Sequence, residues 1–149
     1  MIKKFDGNHA FLSNFYPSPI NHEGIAYPTV EHFYQAMKST SIIIRKEAAN
    51  LPTQAAAKKY GRKIVLREDW ESKKVEIMTS ALRAKFQYPE LKAKLLATDI
   101  SLLEEGNYWH DNFWGNCYCT LCCNTVGYNV LGKLLMMLRA EIQHDEACK

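Results

Sequence analysis

The chain has 149 residues, 47% apolar and 23% charged, enough to bury one core of its own. No apolar run approaches the roughly 18 residues that span a bilayer, and Met1-Ile2-Lys3-Lys4-Phe5-Asp6 leads into no continuous apolar region, so neither a membrane span nor an export signal is expected. A net charge of +3, with lysines and arginines scattered, demands no nucleic-acid partner and leaves phosphate ligands open.

Residues 1–27 read as short strands and turns. Asn21-His22-Glu23-Gly24 carries a turn signal, and Ile25-Ala26-Tyr27 follows as a strand. Upstream, Phe11-Leu12-Ser13-Asn14-Phe15-Tyr16-Pro17 sets two small polar residues among aromatics. Ser13 and Asn14 suit a turn that satisfies its own backbone, or a hydroxyl and an amide offered to a ligand.

Pro28-Thr29 predicts a helix start, with the Thr29 hydroxyl capping the first amides. Val30, Phe33, Tyr34 and Met37 then recur at helical spacing as an apolar stripe. Glu31, Gln35 and Lys38 form a second stripe beside it, a carboxylate, an amide and an amine at the edge of a core. The spacing fits a solvated Glu–Lys face as well as a half-desolvated site.

A short helix is predicted from Ile42 to Asn50, and another from Pro52 to Tyr60 with Gly61 as its C-cap. Arg62, next in line, is placed either to hold a phosphate or carboxylate or to sit solvated beside helix carbonyls. Asp69 caps a long helix over about 70–86, with Val75, Met78, Leu82 and Phe86 inward. Trp70 in its first turn reads as packing or as a stacking surface. Pro89 opens a helix to about Ala97, and Ile100 to Glu105 reads as a strand.

The segment Glu105-Gly106-Asn107-Tyr108-Trp109-His110-Asp111-Asn112-Phe113-Trp114-Gly115 is dense in polar and aromatic groups, a poor core and a good ligand wall. Within it, Asp111 fits a functional acid or a plain turn residue, and Trp114 a stacking face or packing. Asn129 is placed as the N-cap of a last helix burying Val130, Leu131, Leu134, Leu135, Leu138 and Ile142, with Asp145 to Lys149 frayed. Strands first and mostly helices after predict an α+β fold, a mainly helical single domain over residues 1–149 with a small antiparallel sheet.

Four of five cysteines crowd into Cys117, Cys119, Cys122 and Cys123. Without an export signal, a reducing cytoplasm and free thiols are the expectation, with no cofactor required. The alternative is a structural zinc on Cys117, Cys119 and Cys122, completed by His110 or Cys148, against which stands the absence of a second, separate ligand pair.

Six segments together resemble one family. Phe11 to Pro17, Tyr27 to Ala36, Gly61-Arg62, the helix beginning at Trp70, Trp109 to Gly115, and Asn129-Val130-Leu131-Gly132 occur in the order and with the residues of the NADAR, or YbiA-like, proteins, over about residues 5–140. The resemblance implies the YbiA-like α+β fold and an N-glycoside hydrolase. Its substrates would be of two kinds, ribosylamino-pyrimidine phosphates of riboflavin synthesis and ADP-ribose attached to guanine, free or within nucleic acid. It also implies that Glu31, Trp70 and Asp111 belong to the active site, with Lys38 and Arg62 near.

The residue chemistry agrees. Cutting a ribosyl C–N bond builds positive charge at C1 and leaves a nitrogen in need of a proton, and two carboxyls can divide those tasks. Glu31 is expected nearest C1, with Asp111 as partner. Lys38 offers a Schiff-base route if burial lowers its pKa. Trp70 and Trp114 would stack on the base, Arg62 would hold the phosphate end, and Ser13, Asn14 and Gln35 would line the site. A binding module for ADP-ribose or NAD-like ligands is the rival reading, using Arg62 and the tryptophans without need of the two acids.

Overall fold

The computed structural model describes residues 1–149. The chain divides into two compact units, Asn14–Tyr88 and Met1–Ser13 with Pro89–Lys149. Helices dominate, and the antiparallel pairing is confined to two short strands, as the α+β expectation requires.

The 14–88 unit opens with a hairpin, β1 (Ile20–His22) and β2 (Ile25–Tyr27), paired in the register Ile20↔Tyr27 to His22↔Ile25. Glu23 and Gly24 both take positive φ, 49° and 79°, the two-residue turn whose twist suits a hairpin. Four helices follow: α1 (Val30–Ala36), α2 (Ile42–Ala49), α3 (Gln54–Gly61) and α4 (Trp70–Lys85).

Helix α1 is the hub. It packs against α2, α3 and α4, and all seven of its residues are buried. The sequence placed Glu31 and Gln35 at a core's edge; three surrounding helices close that edge over them. A helix buried all round must satisfy its polar groups internally. Thr29 caps α1 as expected, accepting the His32 N–H at 3.2 Å. The His32 ring is absorbed structurally, between the Thr29 hydroxyl (2.8 Å) and the Leu51 carbonyl (3.0 Å).

Two helix-level expectations are corrected here. Gly61 is the last residue of α3, not a residue past its end, and its value is closeness: a Cβ there would stand 1.8 Å from Gln35 Oε1. Val75 is 37% exposed. At about 100° per residue it falls at the rim of the arc made by Trp70, Met78, Ala81 and Leu82, while Lys85 falls at its centre.

In the other unit, a 3-10 turn (Gly7–Leu12) packs on α5 (Pro89–Leu96), and α5 on α6 (Val130–Ala147). Leu91, Leu95, Leu103, Leu131 and Leu135 form its core. The strand expected at 100–105 shrinks to one parallel bridge, Ile2↔Leu103, because only the N-terminal residues are at hand to pair with it. The strands that do form are β3 (Gly106–Asn107) and β4 (Asn116–Cys117), parallel and two residues each.

Asn129 precedes α6 with φ 50° and does not cap it by its side chain. Its amide instead accepts from Glu105 N–H (3.0 Å) and donates to the Leu103 carbonyl (2.9 Å), pinning the stretch before β3. Gly132 leaves room for that amide, since a Cβ there would lie 2.4 Å from Asn129 Nδ2. Helix α6 keeps its turns through residues expected to fray, where Glu146 bonds Lys92 at 2.7 Å and Lys149 at 2.9 Å.

Candidate active site

The 14–88 unit gathers most of the predicted site residues around α1. Glu31 is only 7% exposed. Its backbone N–H donates to the Asn14 carbonyl at 3.1 Å, so the loop after Ser13 seats the start of the helix. One carboxylate oxygen, Oε1, accepts from Gln35 Nε2 at 2.8 Å, one turn along. A buried carboxylate is costly unless such donors meet it, so Gln35 holds both its position and its orientation.

Two acceptors in this neighbourhood have no hydrogen-bond partner: Asn14 Oδ1 and Gln35 Oε1. Asn14 spends its amide nitrogen on a long contact to Met78 Sδ, 3.7 Å. Buried acceptors left open are uncommon and mark places where water or a ligand hydroxyl completes the site. Gln35 Oε1 is walled by Gly61, and Asn14 Oδ1 is enclosed as well.

Lys38, two turns beyond Glu31, is half-buried. Its Nζ lies 5.8 Å from the Tyr34 ring centre and 6.0 Å from that of Trp70, whose rings pack 5.1 Å apart. Burial pushes its pKa below the usual lysine value; the Glu31 carboxylate pulls it back up, and Arg62 and Lys58 push it down again. The result is an amine closer to neutrality, beside a carboxylate and against aromatic faces. Trp70 is 5% exposed, with Tyr34 and Lys38 against its ring, so it walls Lys38 rather than standing open. Arg62, exposed just past α3, is near enough to act on Lys38 by charge.

Lys85 is the titratable group that sequence reasoning missed. It is completely buried on the apolar face of α4, and burial lowers its pKa to about 7. Its Nζ is 5.7 Å from the Tyr16 ring centre and 5.3 Å from that of Phe86. A lysine in register with Met78, Ala81 and Leu82 was the available signal.

Ser13, Asp111 and Trp114 belong to the other unit. Ser13 closes the 3-10 turn, its N–H donating to the Ala10 carbonyl at 3.0 Å. Asp111 is half-buried, and its Oδ1 accepts from the N–H groups of Phe113 (3.1 Å) and Trp114 (2.9 Å). Asn107 ties the same residue from the other side, accepting from Asp111 N–H (3.2 Å) and donating to its carbonyl (2.7 Å). Asp111 thus organises the loop it sits in. The Trp114 indole packs edge-on against Phe113, centres 4.9 Å apart.

A domain profile described as NADAR matches residues 2–143, and the chain belongs to the NADAR domain family. N-glycosidase YbiA of Escherichia coli is 39% identical over 138 residues, covering 88% of this chain and 80% of that protein. A riboflavin biosynthesis protein of Vibrio vulnificus is 37% identical over 141 residues, 93% of this chain, which spans only 37% of that longer protein. The NMR structure of E. coli YbiA superposes with a TM-score of 0.81 at 35% identity, covering 99% of this chain and 89% of the other. The kinship is therefore with hydrolases of N-glycosyl compounds.

Proposed function

We propose that this chain hydrolyses the bond between ribose C1 and an amino group on a flat base, with Glu31 as the carboxylate at C1. The observation that carries the reading is the buried Glu31 carboxylate held by Gln35 on the hub helix. A binding module would not need an acid kept in so costly a place. The substrates are small N-ribosides of two kinds, a ribosylamino-pyrimidine phosphate, in keeping with the riboflavin-related relatives, and ADP-ribosylated guanine, free or in nucleic acid. The setting is cytoplasmic.

In the direct route, water attacks C1 as the C1–N bond breaks. Glu31 takes the water proton, opposes the charge on the sugar, and passes that proton on to the leaving amino group. In the covalent route, the neutral Lys38 amine adds to C1 of the ring-opened sugar, the base leaves as its free amine, and water hydrolyses the imine to restore Lys38. The lowered pKa of Lys38 favours this second route. Asn14 and Gln35 seat Glu31, Arg62 takes the phosphate end, and Trp70 backs the Lys38 amine.

The test is to offer the purified chain both substrate types and identify the released base by mass spectrometry, with and without borohydride. Glu31→Gln should cost at least ~100-fold in turnover while the protein stays folded. Near-wild-type turnover by Glu31→Gln on both substrates overturns the assignment. Tight binding without product from the unmodified chain selects the module instead. A borohydride-trapped adduct on Lys38 selects the covalent route.

A further inference from the structure

His110, Cys117, Cys119 and Cys122 bring their ligand atoms within 4.8 Å of one another. His110 Nδ1 lies 3.2 Å from Cys119 Sγ and 3.4 Å from Cys122 Sγ. In a tetrahedral zinc site with ordinary bond lengths, sulfur and nitrogen ligands stand about 3.5 Å apart and sulfurs about 3.8 Å apart. The four ligand atoms are gathered within reach of one such ion, and all of the thiols are free.

The backbone supports the same reading. His110 adopts φ 68°, a left-handed conformation that costs a non-glycine residue about 1 kcal/mol and is held where surroundings demand it. That conformation brings Nδ1 to the thiols and lets the His110 N–H donate to Cys117 Sγ at 3.3 Å. Cys117 sits in β4, its own N–H donating to Asn112 Oδ1 at 2.9 Å, so one ligand is fixed by a strand. Cys119 and Cys122 have the short spacing of a zinc knuckle, with a turn bond from Cys122 N–H to the Cys119 carbonyl at 3.1 Å. The ligand pair that the linear spacing lacked is supplied by His110 and Cys117, seven residues apart and joined by the fold.

We propose that His110, Cys117, Cys119 and Cys122 bind one structural Zn2+. Three thiolates and a neutral imidazole suit a soft, tetrahedral ion and leave no open position for water, so the metal takes no part in bond cleavage. Binding releases the thiol protons and staples the 106–117 segment to the 117–122 turn. Asp111 follows His110 directly, so the metal fixes the start of the Asp111 loop.

The experiment is metal analysis by mass spectrometry on full-length protein prepared under reducing conditions without chelator or metal-affinity resin. One zinc per chain is expected, falling to none in Cys119→Ser and Cys122→Ser and unchanged in Cys123→Ser and Cys148→Ser. Cobalt exchanged into the unmodified chain should give the strong visible bands of a tetrahedral thiolate site, a readout that does not depend on any variant folding. Clearly substoichiometric zinc in the unmodified chain, even after incubation with zinc and reductant, overturns the proposal. So does zinc retained in Cys122→Ser, or a disulfide among these thiols in protein kept reduced. Hydrolase activity enters none of these readouts, so failure here leaves the assignment of Glu31 untouched.

Discussion

Replacing Gly61 by alanine separates two accounts of one residue. If Gly61 only ended a helix, alanine would stabilise α3 by up to about 1 kcal/mol, the usual propensity gain. The structure predicts the opposite sign. The new Cβ would lie 1.8 Å from Gln35 Oε1, 2.5 Å from Cδ and 3.1 Å from Cβ. Gln35 is 5% exposed, so its amide has no solvent to swing into. Overpacking of this kind costs about 1–3 kcal/mol. Displacing the amide also breaks the bond to Glu31 Oε1, a hydrogen bond to a charged acceptor worth about 1.5–3 kcal/mol. Set against the propensity gain, a net loss of roughly 1.5–5 kcal/mol remains, a fall in Tm of about 3–20 °C for a chain of this size. The assay is thermal unfolding followed by circular dichroism, with Gly61→Ala, Gln35→Ala and the double variant completing a cycle. Truncating Gln35 removes the clash, so the double variant should be more stable than the two single losses summed, with a coupling above about 1 kcal/mol. A Gly61→Ala protein as stable as wild type, or a coupling near zero, would refute the claim that this glycine exists for Gln35.

Two further outcomes follow from buried groups. Lys85 has a folded-state pKa of about 7, well below its unfolded value, so between about pH 7 and 10 the unfolded chain binds the extra proton and stability rises with pH. The rise from this group should approach roughly 1 kcal/mol per pH unit, and Lys85→Met should flatten it; urea midpoints at several pH values check this, and an unchanged slope in the variant refutes it. Asn129→Ala removes both bonds to the 103–105 backbone and puts alanine in a left-handed conformation, an expected loss of about 2–4 kcal/mol read as a lower urea midpoint. A loss below about 0.5 kcal/mol would mean the latch contributes nothing measurable.

The amino-acid sequence by itself determined what depends on near neighbours. The Thr29 cap, the Glu23-Gly24 turn, the proline that opens α5 and the periodicity of α4 are local. Their physics acts within a turn or two of chain, so sequence spacing is enough to find them. Motif order over nearly the whole chain also reached the NADAR family, and the column of Glu31, Gln35 and Lys38 was visible as helical spacing. Only the tertiary structure decided how those side chains are used. Whether a polar stripe is solvated or buried depends on what packs over it, and the three helices that follow α1 fold back to enclose it. Gly61 reads as a helix stop until Gln35 is seen against it, and Asn129 as a cap until its amide is seen holding Leu103 and Glu105. His110 meets Cys119 and Cys122 only because β3 and β4 pair and the backbone turns left-handed between them. Linear spacing cannot report such convergence, since contacts between distant residues are set by the packing of whole elements rather than by local conformational preference.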